Sequence, residues 1–365
     1  MVEFGRPAPG GEHPSVVPPA NVRHVIVVGG GRGGVGKSVL GVNLGVYLAQ
    51  LGRTVILIDA DPNGAELHTM LGVEPPPPTE SADEAPGDEL RTVPTSVPGL
   101  LLAPQYYLPG STVPVRPGRK PRWAYALRQL DVDYVLIDLG SGTSQATLDL
   151  FLTADIGLCV AAPEPPSVEA TYRFMRAAYQ RQLRRALVQN RFKLRLVERA
   201  QMELPPLPSP PVLVRKLAHY DTKLAELAAD ELAKFRPRLV VNGIRLRTDT
   251  ELGPAMQSLG RRYLGIDLDY VGHIEQDDSV WLSVVRRRPL LIDSPTSKSA
   301  RNLERIARRV LALATTPEQA RAAEPIAILP SPPNLYDLLG IHRGAPDEEV
   351  RRAYKRQREL YQPGS

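Results

Sequence analysis

The stretch with the clearest capacity for chemistry is residues 31–38, which read Gly-Arg-Gly-Gly-Val-Gly-Lys-Ser and match the spacing G-x-x-x-x-G-K-S. It closely follows the apolar run 25–28 and opens a segment with helical apolar spacing. Glycines let the backbone turn tightly enough for its N–H groups to line a phosphate-sized nest, and the helix N-terminus adds positive dipole. In this motif Lys37 reaches the β- and γ-phosphates and Ser38 binds Mg²⁺. The segment predicts a phosphate-binding loop, against the alternative of a glycine-rich turn with no ligand.

Two further segments end in carboxylates. Asp59 and Asp61 close one apolar run, and Asp138 closes another. Apolar runs without polar alternation are typical of parallel strands buried on both faces, and ligands of such sheets bind at the carboxyl ends of the strands. We therefore expect these acids to face the same phosphates as Lys37. Solvated loop acids are the alternative for Asp59 and Asp61, because aspartate is common after strands.

The elements that must position these residues alternate along the chain. Apolar runs that predict strands cover residues 25–28, 54–58, 100–103, 134–137, 156–162, 238–241 and 268–274. A helical pattern at 39–51 follows the phosphate loop, and further helical patterns lie between the later runs. This order predicts an α/β P-loop NTPase fold, a mostly parallel sheet with helices on both faces, plus a small helical C-terminal segment.

Composition narrows the function classes. The chain has 365 residues, a net charge of +5 and a pI near 9.3, which permits anionic partners without identifying one. The first 20 residues lack the apolar core of a signal peptide, and no stretch approaches a membrane span, so we expect a cytoplasmic protein. Cys159 is the one cysteine and lies in an apolar run. A disulfide framework and a cysteine-ligated cluster within one chain are therefore excluded.

Three of these motifs resemble the deviant Walker A, switch I and switch II motifs of the ParA/MinD ATPases. The resemblance rests on residues 31–38, on Leu-Ile-Asp-Ala-Asp-Pro-Asn-Gly at 57–64 and on Leu-Ile-Asp-Leu-Gly-Ser-Gly-Thr at 136–143. It covers roughly residues 21–315 apart from an insertion, and extends to 240–242 and 270–277. Residues 64–71 and 138–144 look closest to the MinD-like branch that contains the flagellar-number regulator FlhG.

The resemblance implies that the chain binds ATP and Mg²⁺. The residues that it places around the nucleotide are Gly31, Gly33, Gly34, Val35, Gly36, Lys37, Ser38, Val39, Gly142 and Asn242. Ser38, Asp59 and Asp138 are the expected Mg²⁺ ligands, with Asp138 acting through water. Asp61 would orient or activate the attacking water, Gly142 would sense the γ-phosphate through its amide, and Asn242 would recognise adenine.

The family also implies an ATP-dependent homodimer in which a signature lysine crosses to the partner's phosphates. Here that position is Arg32, and guanidinium differs from ammonium in being always charged and forked. Arg32 could act as an arginine finger in trans, or could give a dimer that hydrolyses slowly. A second departure is Glu66, where the MinD-like pattern has asparagine; we expect it to face solvent.

Domain organisation follows from composition. We expect an N-terminal arm at 1–20, an ATPase domain at 21–315 with a flexible loop at 73–99, a linker at 316–333 and a helical hairpin at 334–365. That last segment resembles the first two helices of a J-domain, but Gln-Pro-Gly stands where His-Pro-Asp would be, so no co-chaperone activity is carried over. We expect it to be either a small hairpin that contacts a protein partner or a remnant of a longer module.

A basic helical insertion is predicted at about 179–236. Its alternatives are a solvated helical face or a patch for DNA, anionic lipid or an acidic protein. Sparse aromatic residues do not indicate stacking on single strands. The last helix of the domain, near 299–314, places an apolar stripe that packs on the sheet or, as an alternative, lies on a membrane surface.

Together these features predict a switch ATPase that cycles between monomer and ATP-bound dimer and positions or regulates a cellular structure, such as flagella or a partitioned cargo. A nucleotide-gated scaffold with little hydrolysis and a nonspecific DNA-binding partition ATPase are the alternatives. An iron–sulfur carrier of related fold is disfavoured because the chain has no C-x-x-C pair.

Overall fold

The computed structural model describes residues 24–62, 64, 66–74, 90, 92–104, 127, 130–315 and 346–360. Within this part of the chain the strands form one eight-stranded sheet with the order β3-β4-β2-β5-β1-β6-β7-β8. The strands are β1 His24–Gly29, β2 Val55–Ala60, β3 Val93–Pro94, β4 Leu100–Ala103, β5 Tyr134–Leu139, β6 Ile156–Ala161, β7 Arg238–Ile244 and β8 Asp269–Glu275. The predicted α/β fold with a mostly parallel sheet is confirmed, because β3 alone runs antiparallel to its neighbour.

Helices connect these strands on both faces of the sheet. They are α1 Lys37–Gln50, α2 Leu67–Leu71, α3 Gln145–Phe151, α4 Pro165–Ala186, α5 Arg191–Met202, α6 Pro210–Ala218, α7 Thr222–Lys234, α8 Leu252–Leu259, α9 Asp278–Val285, α10 Leu290–Asp293, α11 Lys298–Thr315 and α12 Asp347–Leu360. A short 3-10 turn at Arg247–Glu251 precedes α8, and a wider turn at Gly260–Leu264 follows it.

Alternate residues of the central strands face two separate apolar cores. Val25 and Val27 of β1 point to the core formed with α3 to α7, and Ile26 and Val28 point to the core formed with α1, α2, α10 and α11. The central strands are buried along their whole length, which is why they lack polar alternation in sequence. The sheet is therefore held rigid between two helical layers, with the carboxyl ends of its strands along one edge.

The basic insertion contains two breaks that the helical patterns of the sequence did not predict. The pattern at 179–203 is split between α4 and α5, and the pattern at 212–235 is split between α6 and α7. Asn190 and Asp221 explain the breaks, because each caps the helix that follows it. The Asn190 side chain accepts a hydrogen bond from the Lys193 backbone N–H, and the Asp221 side chain accepts one from the Leu224 backbone N–H. The insertion is consequently a set of short packed helices.

Two other expectations are settled by packing. The apolar stripe of α11 lies against the sheet through Leu303, Ile306 and Val310, so the packed alternative is confirmed over the membrane-surface alternative. Within the predicted flexible loop 73–99, residues 93–94 instead form β3, which pairs with β4, Val93 opposite Leu102. Residues 75–89 of that loop lie outside the described residues.

The chain termini are described in part. The expected N-terminal arm at 1–20 and the linker at 316–333 lie outside the described residues. Of the J-domain-like hairpin, the second helix is present as α12 and the first lies outside them. Among the helices described here, none combines the length and the apolar character needed to cross a bilayer.

Candidate functional site

The predicted phosphate loop lies between the end of β1 and the start of α1, as the motif requires. Gly34 and Gly36 adopt left-handed conformations, with φ of 73° and 87°, which side chains rarely tolerate. At Gly31 a Cβ atom would stand 2.0 Å from the Ala170 carbonyl oxygen of α4. Glycine is therefore required at these positions by backbone conformation or by close packing, and Val39 lies beyond them in the first turn of α1.

Lys37 begins α1 and is largely buried despite its charge. Its Nζ donates a hydrogen bond to the Arg32 carbonyl oxygen across the loop, at 3.2 Å. Burial lowers the pKa of Lys37, while the nearby acids Asp138 and Asp61 act in the opposite direction. The ammonium group is thus held at the centre of the loop next to two carboxylates.

Asp138 is a deeply buried acid of the site. Its carboxylate bonds to Ser38, and its Oδ1 has no hydrogen-bond partner although it is buried. Burial raises the pKa of Asp138 to about 7, and the negative charges of Asp59 and Asp61 add to this, whereas Ser38 and Lys37 oppose it. An unpartnered buried carboxylate oxygen beside a serine hydroxyl is a donor set that suits a hard cation such as Mg²⁺.

Asp59 and Asp61 have different surroundings. Asp59 lies directly opposite Asp138 in the neighbouring strand and accepts a hydrogen bond from the Leu67 backbone N–H at 3.0 Å. Burial raises the pKa of Asp59 to about 6. Asp61 is half-buried and lies over Gly140, where a Cβ atom would be 2.6 Å from its carboxylate oxygen. Both acids thus face the loop edge, and the alternative of fully solvated loop acids is wrong.

Two residues expected to contact the nucleotide bind the loop itself. The Asn242 side-chain amide donates to the Val35 carbonyl oxygen at 2.9 Å, and the Gly142 N–H donates to the Gly30 carbonyl oxygen at 3.3 Å. A Cβ atom on Gly36 would stand 2.1 Å from the same Asn242 amide. The structure brings both residues to the site, where they brace the loop backbone; adenine recognition by Asn242 stays a prediction.

Arg32 extends from the loop surface to α4. Its guanidinium forms an ion pair with Glu164 at 2.7 Å, and both side chains are about half exposed. Gly33 lies beside it on the surface, with Ser141 as its nearest neighbour. Glu66 is exposed, as predicted.

Sequence reasoning missed three residues of this site. Glu164, which binds Arg32, and Ala170, which contacts Gly31, both come from α4 and its N-terminal boundary. Gly140 gives Asp61 room to approach. Of the three, only Gly140 could have been recognised from the sequence. It lies in the motif at 136–143, and a glycine next to the end of a buried strand indicates that another group approaches the backbone closely.

Taken together, the site offers a glycine-rich loop at the start of α1, one buried ammonium group, one hydroxyl and three carboxylates at one edge of the sheet. Such a set can bind a polyphosphate with a divalent cation and hold an acid beside it. No cysteine takes part: Cys159 is buried in β6, and burial raises the pKa of its thiol to about 12.

Comparison with known proteins agrees with this geometry. A family model described as ParA: NUBPL iron-transfer P-loop NTPase matches residues 21–190. The antiactivator FleN of Pseudomonas aeruginosa is 28% identical over 290 residues, which cover 78% of this chain and 85% of FleN. An iron-sulfur cluster carrier protein of Aquifex aeolicus is 32% identical over 156 residues. The chain spans only 41% of that carrier's length.

A solved structure has the same fold. The septum site-determining protein MinD of Pyrococcus horikoshii, solved with Mg-ADP, matches with a TM-score of 0.52 at 18% identity. The match covers 80% of this chain and 97% of MinD. At that identity the similarity shows the fold, which both chains share over nearly all of MinD.

Proposed function

The chain is a P-loop NTPase of the ParA family, and on this premise we propose that it is a switch ATPase that dimerises with ATP bound and positions or regulates a cellular structure. The observation that carries the proposal is the buried Asp138 carboxylate, whose unpartnered oxygen lies beside Ser38 and Lys37. A buried carboxylate oxygen without a hydrogen-bond partner is costly unless a ligand satisfies it. ATP with Mg²⁺ supplies that ligand.

In this proposal Lys37 and the loop N–H groups bind the phosphates, and Ser38, Asp138 and Asp59 hold Mg²⁺. The cation neutralises phosphate charge when it is bound. The Mg-ADP of the MinD relative supports this choice of ligands. Asp61 orients or activates the attacking water, a role that its half-buried position beside Lys37 supports.

Dimerisation is proposed to use Arg32. To reach a partner's phosphates, Arg32 must leave Glu164. An exposed ion pair of this kind contributes about 0–1 kcal/mol, so its loss is a small barrier to a new contact with phosphate. Ordering of the segments after Asp61 and Asp138 by the γ-phosphate would couple ATP to the dimer, and hydrolysis would release it.

The proposed cellular role rests on a relative that aligns over most of this chain. FleN is named an antiactivator and aligns over most of both chains, which supports a regulatory role, with flagellar number or placement as the first process to test. Carriage of an iron–sulfur cluster is not proposed, because the lone thiol is buried and its raised pKa opposes the thiolate form that binds iron.

The dimer is tested by light scattering with and without ATP and Mg²⁺. We expect the apparent mass of the native chain to double with ATP and Mg²⁺. Lys37→Ala should abolish the change, because the phosphates lose their contact with the Lys37 ammonium group. The exposed Lys223→Ala is the matched control and should behave as wild type. A Lys37→Ala protein that still dimerises with ATP contradicts the proposed site.

Turnover is tested by phosphate release. Asp61→Ala should keep the ATP-dependent dimer and lose at least about tenfold in rate, since it removes a group that positions the attacking water. Asp131→Ala, at an exposed loop position, is the control. Undiminished phosphate release by Asp61→Ala would refute this role of Asp61.

A second candidate is a nucleotide-gated scaffold with little hydrolysis. The ion pair of Arg32 with Glu164 favours it, because the residue at the signature position is occupied within its own chain. Multiple-turnover measurements separate the two: sustained phosphate release identifies the ATPase, and release limited to about one turnover identifies the scaffold.

A further inference from the structure

A second surface of the molecule combines charge with exposed apolar side chains. It is the turn that joins α4 to α5, with the residues around it at 184–197, and we refer to it as the basic tip. This segment carries five arginine and lysine residues and no aspartate or glutamate. It lies at the C-terminal end of α4, whereas the phosphate loop contacts α4 near its N-terminal end, at Ala170.

The positive charge of the basic tip is largely uncompensated. Within the part of the chain that the structure describes, no salt bridge is formed by Arg185, Arg191, Lys193 or Arg195. The acids of the elements packed nearby are engaged elsewhere: Asp149 binds Arg181 through both oxygens, and Glu203 binds Lys216. Glu198, the residue that directly follows this segment, is the nearest acid in sequence. The tip is therefore a cationic surface.

Part of the positive charge of the basic tip lies at a helix N-terminus, where cations are unfavourable. Arg191 and Lys193 occupy the first turn of α5, which has no acidic residue. The N-terminus of a helix already carries partial positive charge, so cations there reduce helix stability. Positions where a sequence departs from local preference are those where function is expected. The arrangement favours an anionic partner.

Apolar side chains decide which anionic partner fits. Val188 is 70% exposed and Phe192 is 69% exposed, and both lie among the arginines. α5 packs on the core through the buried Val197 and Ala200, and this packing leaves Phe192 exposed. A nucleic-acid backbone would satisfy the arginines and leave both apolar side chains in water. A membrane interface accepts both, because aromatic and aliphatic side chains enter the acyl boundary while guanidinium groups bind lipid phosphates.

We propose that the basic tip docks on an anionic lipid surface, with Val188 and Phe192 entering the headgroup boundary and the arginines binding lipid phosphates. The site is separate from the phosphate loop, and the proposed binding needs no nucleotide. It goes beyond the switch function and gives that switch a place to act.

The test is co-sedimentation of the full chain with vesicles of phosphatidylglycerol and phosphatidylcholine, compared with pure phosphatidylcholine, all without nucleotide. We expect binding to the anionic vesicles only, weakened by salt. Arg191→Glu with Arg195→Glu should lower the affinity at least about tenfold, given the attraction of each cation to an anionic leaflet. Val188→Ser with Phe192→Ser should lower it at least about fivefold, because the apolar area no longer leaves water.

Matched controls carry the same changes elsewhere. Arg301→Glu with Arg305→Glu reverses two exposed arginines of α11, and Leu246→Ser replaces another exposed apolar side chain. Both should stay within about twofold of wild type. A separate titration of each variant with a fluorescent ATP analogue shows that the variant is folded and measures nucleotide binding on its own. Loss of vesicle binding can therefore be distinguished from loss of nucleotide binding.

Three results would overturn the proposal. The first is no binding of the native chain to anionic vesicles. The second is an equal loss of vesicle binding in the controls. The third is binding to duplex DNA that the arginine reversal removes, combined with vesicle binding that the Val188 and Phe192 substitutions leave unchanged; this pattern identifies a nucleic-acid surface instead.

Discussion

Gly31 and Gly33 lie two residues apart in the phosphate loop, yet a side chain would have very different neighbours at each. A Cβ atom on Gly31 would stand 2.0 Å from the Ala170 carbonyl oxygen, which is part of a helix backbone and cannot rotate away. A Cβ atom on Gly33 would be 3.6 Å from the Ser141 Oγ, an ordinary contact. The two glycines therefore differ in what they contribute to folding.

We expect Gly31→Ala to lower the free energy of unfolding by about 1–3 kcal/mol, since loop and helix must separate to accommodate the methyl group. Gly33→Ala should change it by less than about 0.5 kcal/mol. Urea unfolding of both variants measures the difference. Equal stabilities would mean that the loop does not pack on α4 as described.

Asp138 gives the protein a pH-dependent stability. Burial raises the pKa of Asp138 from 3.8 to about 7, so between these values the folded state keeps a proton that the unfolded state has lost. The free energy of unfolding must therefore fall as pH rises through this window, and the contribution is present in full below the unfolded pKa. Asp59, with its pKa raised to about 6, acts in the same direction.

Urea unfolding at about pH 4.5 and about pH 7 tests this effect in the protein without added nucleotide or Mg²⁺. We expect wild type to lose more stability over the interval than Asp138→Asn, whose side chain does not titrate. The comparison uses the slope with pH, because Asp138→Asn also removes a counter-charge of Lys37 and can shift stability at every pH. The same slope in both proteins would contradict the raised pKa.

Sequence patterns predicted the site to a different extent for different residues. The phosphate loop, Asp59, Asp61 and Asp138 could be placed together because strand ends in a parallel sheet share one edge. Glu164 and Ala170 could not, because their contacts with the loop join positions more than a hundred residues apart that no motif links. Sequence motifs therefore predict residues that bind a ligand better than they predict contacts between distant parts of the chain.

At the scale of elements, buried polar side chains tie helices to one another. Asn43 of α1 is buried, and it accepts a hydrogen bond from the Leu291 backbone N–H of α10 at 2.9 Å. Its own amide group donates to the Val39 carbonyl oxygen. This one side chain fixes α10 against α1, the helix that begins with Lys37.

Asn43→Ala should lower the free energy of unfolding by about 1–3 kcal/mol, because the Leu291 N–H would be left buried without an acceptor. Gln50→Ala, at an exposed position of the same helix, controls for helix propensity and should change it by less than about 0.5 kcal/mol. Chemical unfolding measures both. A small effect of Asn43→Ala would show that water replaces the lost acceptor.

Helices and strands were predicted best where the spacing of apolar residues follows one regular pattern. The central strands are apolar on both faces and were recognised as such, whereas β3, at the edge of the sheet, has two residues, one of them proline, and was assigned to a loop. The helix breaks at Asn190 and Asp221 were missed because apolar spacing continues across them. Caps, which act through single hydrogen bonds, interrupt a pattern that periodicity alone extends.

At the scale of the whole molecule, ligand binding should raise stability by mass action. With ATP and Mg²⁺ at about 100 times the dissociation constant, the gain is about 2.7 kcal/mol, provided that the unfolded chain does not bind. For a domain of this size we expect the unfolding midpoint to rise by about 5 °C. Lys37→Ala should show no rise, and a calorimetric or fluorescence scan checks both. An equal rise in Lys37→Ala would locate the ligand elsewhere.

The overall architecture could be predicted because strands and helices alternate in sequence and parallel connections allow few arrangements. The strand order, with β1 between β5 and β6, could not be read from pattern, since every buried strand is equally apolar. The arrangement of the four packed helices in the insertion could not be predicted from the sequence pattern either, because it depends on contacts among the helices.

The length of α4 has a mechanical consequence. Its 22 residues form a rod of about 33 Å, with the phosphate loop resting near one end and the α4–α5 turn at the other. Pivoting such a rod by about 5° sweeps its far end through about 3 Å, several times more than the atoms near the pivot travel. A sub-ångström shift of α4 beside Ala170 would then produce a several times larger displacement of the α4–α5 turn.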